Sequence, residues 1–245
     1  MTPHSRSWAI ARHRIQMDTA AVIVLWVPFL LVAVAISAAV GIYGTLSTSV
    51  WEQATQIPRW FAGGIGVYLT AVYLPLYIAH GLTRRQFATQ VPVIVAVLST
   101  VLAALITVGF AIERAVYALG GWPQALSRSH LFDTPDQYAV IGLEFWLVFA
   151  VWIVAGMLVG AGFYRRPVLG FVLIPVVLAV VAFAETTVGT GIFGPLPEPL
   201  LTAIGLDAAA PSLFAAIVSC LGVIVVAAGL TWLVVRDLPI RSQTA

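Results

Sequence analysis

Charge is scarce in this sequence, so every charged residue beside an apolar run needs a partner. Four such residues stand near the outer ends of apolar runs: Glu113, Arg114, Glu144 and Glu185. Charge at membrane depth is costly unless it is paired. Arg114 is therefore expected to pair with Glu144 or Glu185 and to help close the outer end of a pathway. At about 1.5 Å rise per residue, no acid falls at the midplane, where proton- and sodium-coupled carriers place theirs. Other chemistries find no residues. The chain has no lysine, so it cannot build a P-loop of its own. The four histidines, His4, His13, His80 and His130, fall in loops or at membrane edges, and none pairs with another at metal-ligand spacing. No Gly-x-Ser-x-Gly elbow is present. The chain is not expected to be an enzyme by itself.

The second chemistry-bearing stretch is His80–Gln90, between two apolar runs. Thr83 with Gln86 three residues later is the capping-box pattern of a helix start. A short helix starting there would carry Arg84 and Arg85 in its first turn, with Phe87 on a neighbouring face. Cations in a first turn oppose the helix dipole. Such placement implies a role for the arginines outside that helix.

The elements that position these residues are membrane helices. The chain has 245 residues, 61% hydrophobic and 9% charged, with a mean hydropathy of +1.01. A soluble domain carries about 25% charged residues. All 12 basic residues are arginine and asparagine is absent, as in a GC-rich, bacterial coding sequence. Six stretches reach the roughly 20 apolar residues a spanning helix needs: Ala20–Tyr43, Trp60–Ala79, Val91–Ile112, Tyr138–Phe163, Val168–Thr187 and Ser212–Val235. The first is too long for a signal-peptide core and reads as a retained span. With both termini inside, Arg6, Arg12, Arg14, Arg84, Arg85, Arg165, Arg166, Arg236 and Arg241 lie on the inner side. Only Arg59, Arg114 and Arg128 lie outside, which is the arginine bias of a cytoplasmic face. The expected fold is an all-α polytopic membrane protein with one transmembrane domain over residues 1–245.

Local signals refine this plan. Ser7–Met17 mixes Trp8, Ile10 and Ile15 with arginines, the pattern of an elbow helix on the inner surface. Ala33, Ser37 and Gly41 repeat every four residues in the first span, as do Gly156 and Gly160 in the fourth. Such repeats allow close helix approach, either between subunits or within one. Thr134-Pro135-Asp136-Gln137 reads as the start of the fourth span, with Thr134 as its cap. The segment Tyr117–Asp133 reads as an irregular outer loop. Gly189–Pro211 is Gly- and Pro-rich yet apolar, and is expected to re-enter the outer leaflet on protein, with Pro197–Gly205 helical.

This arrangement resembles the membrane subunit of type-2 ATP-binding-cassette (ABC-2) transporters, the bacterial ABC exporter permeases. The resemblance rests on six spans with both ends inside, an elbow segment, a very short second inner loop and an apolar re-entrant segment. It also rests on Gly81-Leu82-Thr83-Arg84-Arg85-Gln86-Phe87, similar to the family's Gly-x-Ser-Arg-Lys-x-Phe, with Thr83 for serine and Arg85 for lysine. The resemblance implies that His80–Gln90 is a coupling helix docked on a separate ATPase, with Leu82, Thr83, Arg84, Arg85, Gln86 and Phe87 as contacts and Phe87 as apolar anchor. ATP and Mg would be bound by that partner and no cofactor by this chain. A second permease subunit, identical or similar, would pair through Ala33, Ser37 and Gly41. The cargo would be hydrophobic or amphipathic, a drug, lipid or peptide-like molecule exported across a bacterial cytoplasmic membrane, with no nucleic-acid partner. A non-transporting docking or sensor protein and an ATP-independent secondary transporter are the competing readings.

Overall fold

The computed structural model describes residues 3–43, 47–190 and 212–236. Helix α1 runs over Pro3–Tyr43, α2 over Val50–Ala54 and α3 over Gln56–Tyr68. A π-helical turn, Leu69–Tyr73, leads into α4, Leu74–Ala79. Then come α5 (Arg84–Gly120), α6 (Tyr138–Arg165), α7 (Pro167–Val188) and α8 (Leu213–Arg236). Among the described residues there is no strand, and six helical stretches are long and apolar enough to cross a membrane. That is the architecture of a multi-pass membrane protein. The arginine-rich end is called the inner end below.

Helix α6 is the axis of the bundle. It is apolar all round, which is the signature of a buried helix. In its most apolar 18 residues 94% are buried, against 17% for α1 and for α8. Close packing on α3 depends on glycine on both sides. A Cβ at Gly66 would lie 1.9 Å from the Ile153 carbonyl oxygen, and one at Gly156 would lie 2.1 Å from that of Gly63. The Thr70 hydroxyl donates to the Met157 carbonyl (2.8 Å) across the same contact. The Gly156 and Gly160 repeat thus packs helices within one chain. The π turn just precedes Pro75, which has no N–H to give and whose ring crowds the preceding turn. Widening the helix there accommodates both.

Several expectations need correction. Ser7–Met17 is no separate elbow, because it forms the first part of one unbroken 41-residue helix. At about 1.5 Å per residue that helix is roughly 60 Å long, twice the hydrocarbon thickness. Ala33 and Ser37 are buried, around a small gap shared with Trp51, Gly109 and Ile112 of the same chain. Their small side chains let α1 approach α5, so they are not open to a second subunit. The outward side of α1 carries Val24, Leu31 and Val32 instead. The Thr134–Gln137 segment is a turn, with Gln137 N–H donating to the Thr134 carbonyl (3.1 Å), and α6 begins at Tyr138. Thr134 therefore does not cap the helix. The re-entrant segment expected over Gly189–Pro211 lies outside the described residues beyond Thr190.

Candidate functional site: a buried charge network beneath the outer loop

Residues 121–137 lie irregularly over the outer end of the bundle, as Gly120-Gly121 and Trp122-Pro123 predict. Gly121 takes the left-handed conformation that ends α5 (φ 66°). What holds this loop down is a set of buried carboxylates that accept hydrogen bonds from it.

Glu113, on α5, serves the start of α2. Its carboxylate accepts from the Trp51 N–H (2.8 Å), the Ser49 hydroxyl (2.5 Å) and the Gln124 amide of the loop (2.8 Å). Ser49 also caps α2, accepting from the Glu52 N–H (3.0 Å). Tyr117, one turn beyond Glu113, donates to the Thr48 carbonyl (3.2 Å). An acid at a helix N-terminus is favoured by its dipole and free N–H groups, which explains the burial of Glu113.

Glu52, on α2, holds the middle of the loop. It accepts from the N–H and hydroxyl of Ser127 (2.7 and 3.0 Å) and from the Arg128 N–H (2.9 Å). His130 then stands between two acids. Its Nε2 lies 3.2 Å from Glu52 and its Nδ1 lies 2.7 Å from Glu144 of α6, which also accepts from the Leu131 N–H (2.8 Å). Ionised carboxylates only accept, so both contacts are satisfied when both ring nitrogens carry protons. Burial opposes that charged form, but the hydrogen bonds and charges of Glu144 and Glu52 outweigh it and lift His130 to about 8. The ring stacks on Phe132 at 4.4 Å, and Phe132 in turn meets Phe110 edge-on. The carboxylates meet opposite nitrogens of the ring, so the three groups bridge helices rather than converge on one point.

The third part is Arg59 of α3. It is fully buried and bonds Glu185 of α7 (2.9 Å) and the Thr190 carbonyl (2.7 Å) through Nη1. The Trp152 indole N–H supports Glu185 (2.8 Å), and the guanidinium lies 5.9 Å from the Phe145 ring. Arg59 Nε and Nη2 find no partner among the described residues.

The sequence reading thus named the right acids and the wrong cation. Glu113, Glu144 and Glu185 are buried here, but Arg114 pairs with neither Glu144 nor Glu185. It meets Asp136 at 3.3 Å on the surface, with both side chains about half exposed. Arg114 follows Glu113 directly, so it points away when Glu113 points in. The partners that sequence reasoning missed are Glu52, Arg59 and His130. Ser49-x-x-Glu52, a capping-type pattern just before the second span, was the available signal for the first.

At the inner end, the motif builds a tight turn. Gly81 (φ 78°) ends α4. Its N–H bonds Ile78 (2.9 Å), and that of the buried Leu82 bonds Tyr77 (3.3 Å), which is the glycine-terminated Schellman pattern. The capping box forms as expected, with Gln86 N–H on the Thr83 hydroxyl (3.2 Å) and Thr83 N–H on the Gln86 amide oxygen (2.9 Å). Two roles change. The helix that starts here does not stop near Gln90 but runs on through Pro92 to Gly120. Phe87 faces inward against Tyr73 and Tyr77 and is 5% exposed, so it offers no outward anchor. Arg84 donates to the Arg236 carbonyl at the end of α8 (2.9 Å). A cation at that C-terminus satisfies α8, which answers the dipole mismatch at the start of α5. Arg85 is exposed.

Comparison of the chain with protein-family models, with curated proteins and with solved structures finds no match.

Proposed function

We propose that this chain is the membrane subunit of an exporter of the ABC-2 type, driven by a separate ATPase and paired with a second membrane subunit. It sits in a bacterial cytoplasmic membrane with both termini inside, and the basic start of α1 rests against the headgroups. The observation that carries this reading is the continuity of α5. One 37-residue helix joins the inner turn at Thr83 to Glu113, the acid that holds Ser49, α2 and the outer loop. A push on the inner turn would be delivered to the outer network along this one helix, through the turn that holds Pro92. The outer network then acts as the closed outer end, held by hydrogen bonds that span α2, α5, α6 and the loop. The ATPase contact is narrower than the motif suggests and centres on Arg85 with the exposed His80, Gly81, Thr83 and Thr89. The cargo is hydrophobic or amphipathic, in keeping with the apolar grooves on either side of α6.

The test is co-purification. The tagged chain is expressed with ABC-type ATPases of its own genome and extracted in mild detergent. Retention of an ATPase by wild type, and its loss in Arg85→Glu with unchanged membrane insertion, supports the reading. Equal retention by Arg85→Glu, or none by wild type, removes it.

A further inference from the structure

Helix α8 packs on α6 and α7 and touches α5 little, which leaves a slot floored by α6. It is lined by Val91 and Val95 of α5, Ala150 and Val154 of α6, and Ile224 and Ala228 of α8. Its cavity volume is about 240 Å³, a little below the range of small-molecule sites at about 300–1,000 Å³. Toward the outer side its last lining residues are Trp146 and Leu221, and the Trp146 indole donates to Thr100 (3.1 Å), tying α6 to α5. Along α8 it runs from Leu221 to Val235, about 21 Å at 1.5 Å per residue. That exceeds the roughly 15 Å depth of one leaflet's hydrocarbon and falls short of the roughly 30 Å that a spanning partner helix requires.

The inner mouth is basic. Arg85 stands one turn before Ala88, and Arg236 one turn after Trp232, so each continues a slot-lining face, and both are exposed. Arg84 bridges the two helices just beneath. Three arginines thus stand at this inner end of α5 and α8. An apolar slot about 21 Å long, ending at Trp146 and Leu221 and flanked by arginines at its inner end, fits one kind of occupant. We infer that the α5–α6–α8 slot binds an acyl chain of an anionic phospholipid from the inner leaflet, with its phosphate at Arg85 and Arg236. The inference rests on the arginine-rich end being the cytoplasmic one and not on the exporter reading.

The test is native mass spectrometry of the full-length chain in neutral detergent, with phosphatidylglycerol and phosphatidylcholine added at equal concentration. Wild type should retain phosphatidylglycerol preferentially. Arg85→Gln should lower that retention about fivefold and leave phosphatidylcholine unchanged, the effect of one basic residue near a headgroup. Ala150→Phe and Ala228→Phe, which fill the slot, should abolish retention. If a filled variant fails to fold, phosphatidylglycerol with brominated chains replaces it as probe. Quenching in wild type should then drop in Trp232→Phe. Retention unaffected by filling, no preference for the anionic lipid, or quenching unchanged in Trp232→Phe overturns the assignment. So does a co-purifying polypeptide that filling displaces while lipid stays, since the occupant would then be a protein helix. Lipid binding with no ATPase partner would sink the exporter reading alone.

Discussion

Raising the pH should loosen the outer network at His130. In the folded chain the ring faces Glu52 and Glu144 and titrates at about 8, whereas an unfolded histidine titrates near 6.5. A folded value above the unfolded one means that protonation favours folding. The contribution is complete below about 6.5 and is lost as the pH climbs through about 8. The gap is worth about 2 kcal/mol, or about 4–8 °C in melting temperature for a chain of this size. The groups facing the ring are the carboxylates of Glu52 on α2 and Glu144 on α6, with the neutral Phe132 stacked on it. The assay is thermal unfolding of the purified chain in neutral detergent from pH 6 to pH 9, with His130→Gln and Glu144→Gln beside wild type. Wild type should lose those degrees between pH 6.5 and 8.5. His130→Gln should start lower at pH 6 and stay flat across this window. Glu144→Gln keeps an acceptor but removes a charge, so its decline should move to lower pH. A parallel decline in wild type and His130→Gln would place the responsible proton elsewhere and refute the argument.

Three other outcomes follow from the packing. Arg59→Met leaves Glu185 buried without its cation and should cost about 3–5 kcal/mol, read as lost thermal stability, while the double variant Arg59→Met/Glu185→Leu should recover most of it. Gly66→Ala would drive a Cβ into the Ile153 carbonyl at 1.9 Å, so the folded, monodisperse yield on size exclusion should collapse, whereas Gly64→Ala, with nothing within 4 Å, should leave it intact. Arg114→Ala breaks only a half-exposed surface pair, so its melting temperature should match wild type within error, and a loss as large as that of Arg59→Met would contradict the assignment of the outer ion pairs.

The sequence alone determined whatever local chemistry decides. Six apolar runs of spanning length become six helices because a backbone in hydrocarbon must satisfy its own hydrogen bonds. Thr83 and Gln86 form their capping box because both partners lie within one turn. Gly81 ends α4 because its left-handed conformation is cheap only for glycine. The burial of Glu113, Glu144 and Glu185 was also legible, since isolated acids near apolar runs must find donors. Which donors they find was not. Arg59 meets Glu185 across 126 residues, Glu113 meets Ser49 across 64, and Glu52 meets His130 across 78. Such pairs depend on which helices are neighbours and how each is rotated, and no periodicity in one segment records that. The same holds for Phe87, turned inward by Tyr73 and Tyr77, and for Ala33 and Ser37, whose small side chains suit a subunit interface and an internal contact equally. The tertiary structure chose the internal contact, because Gly109 on α5 leaves room for Trp51 and the two small residues to meet around one narrow gap.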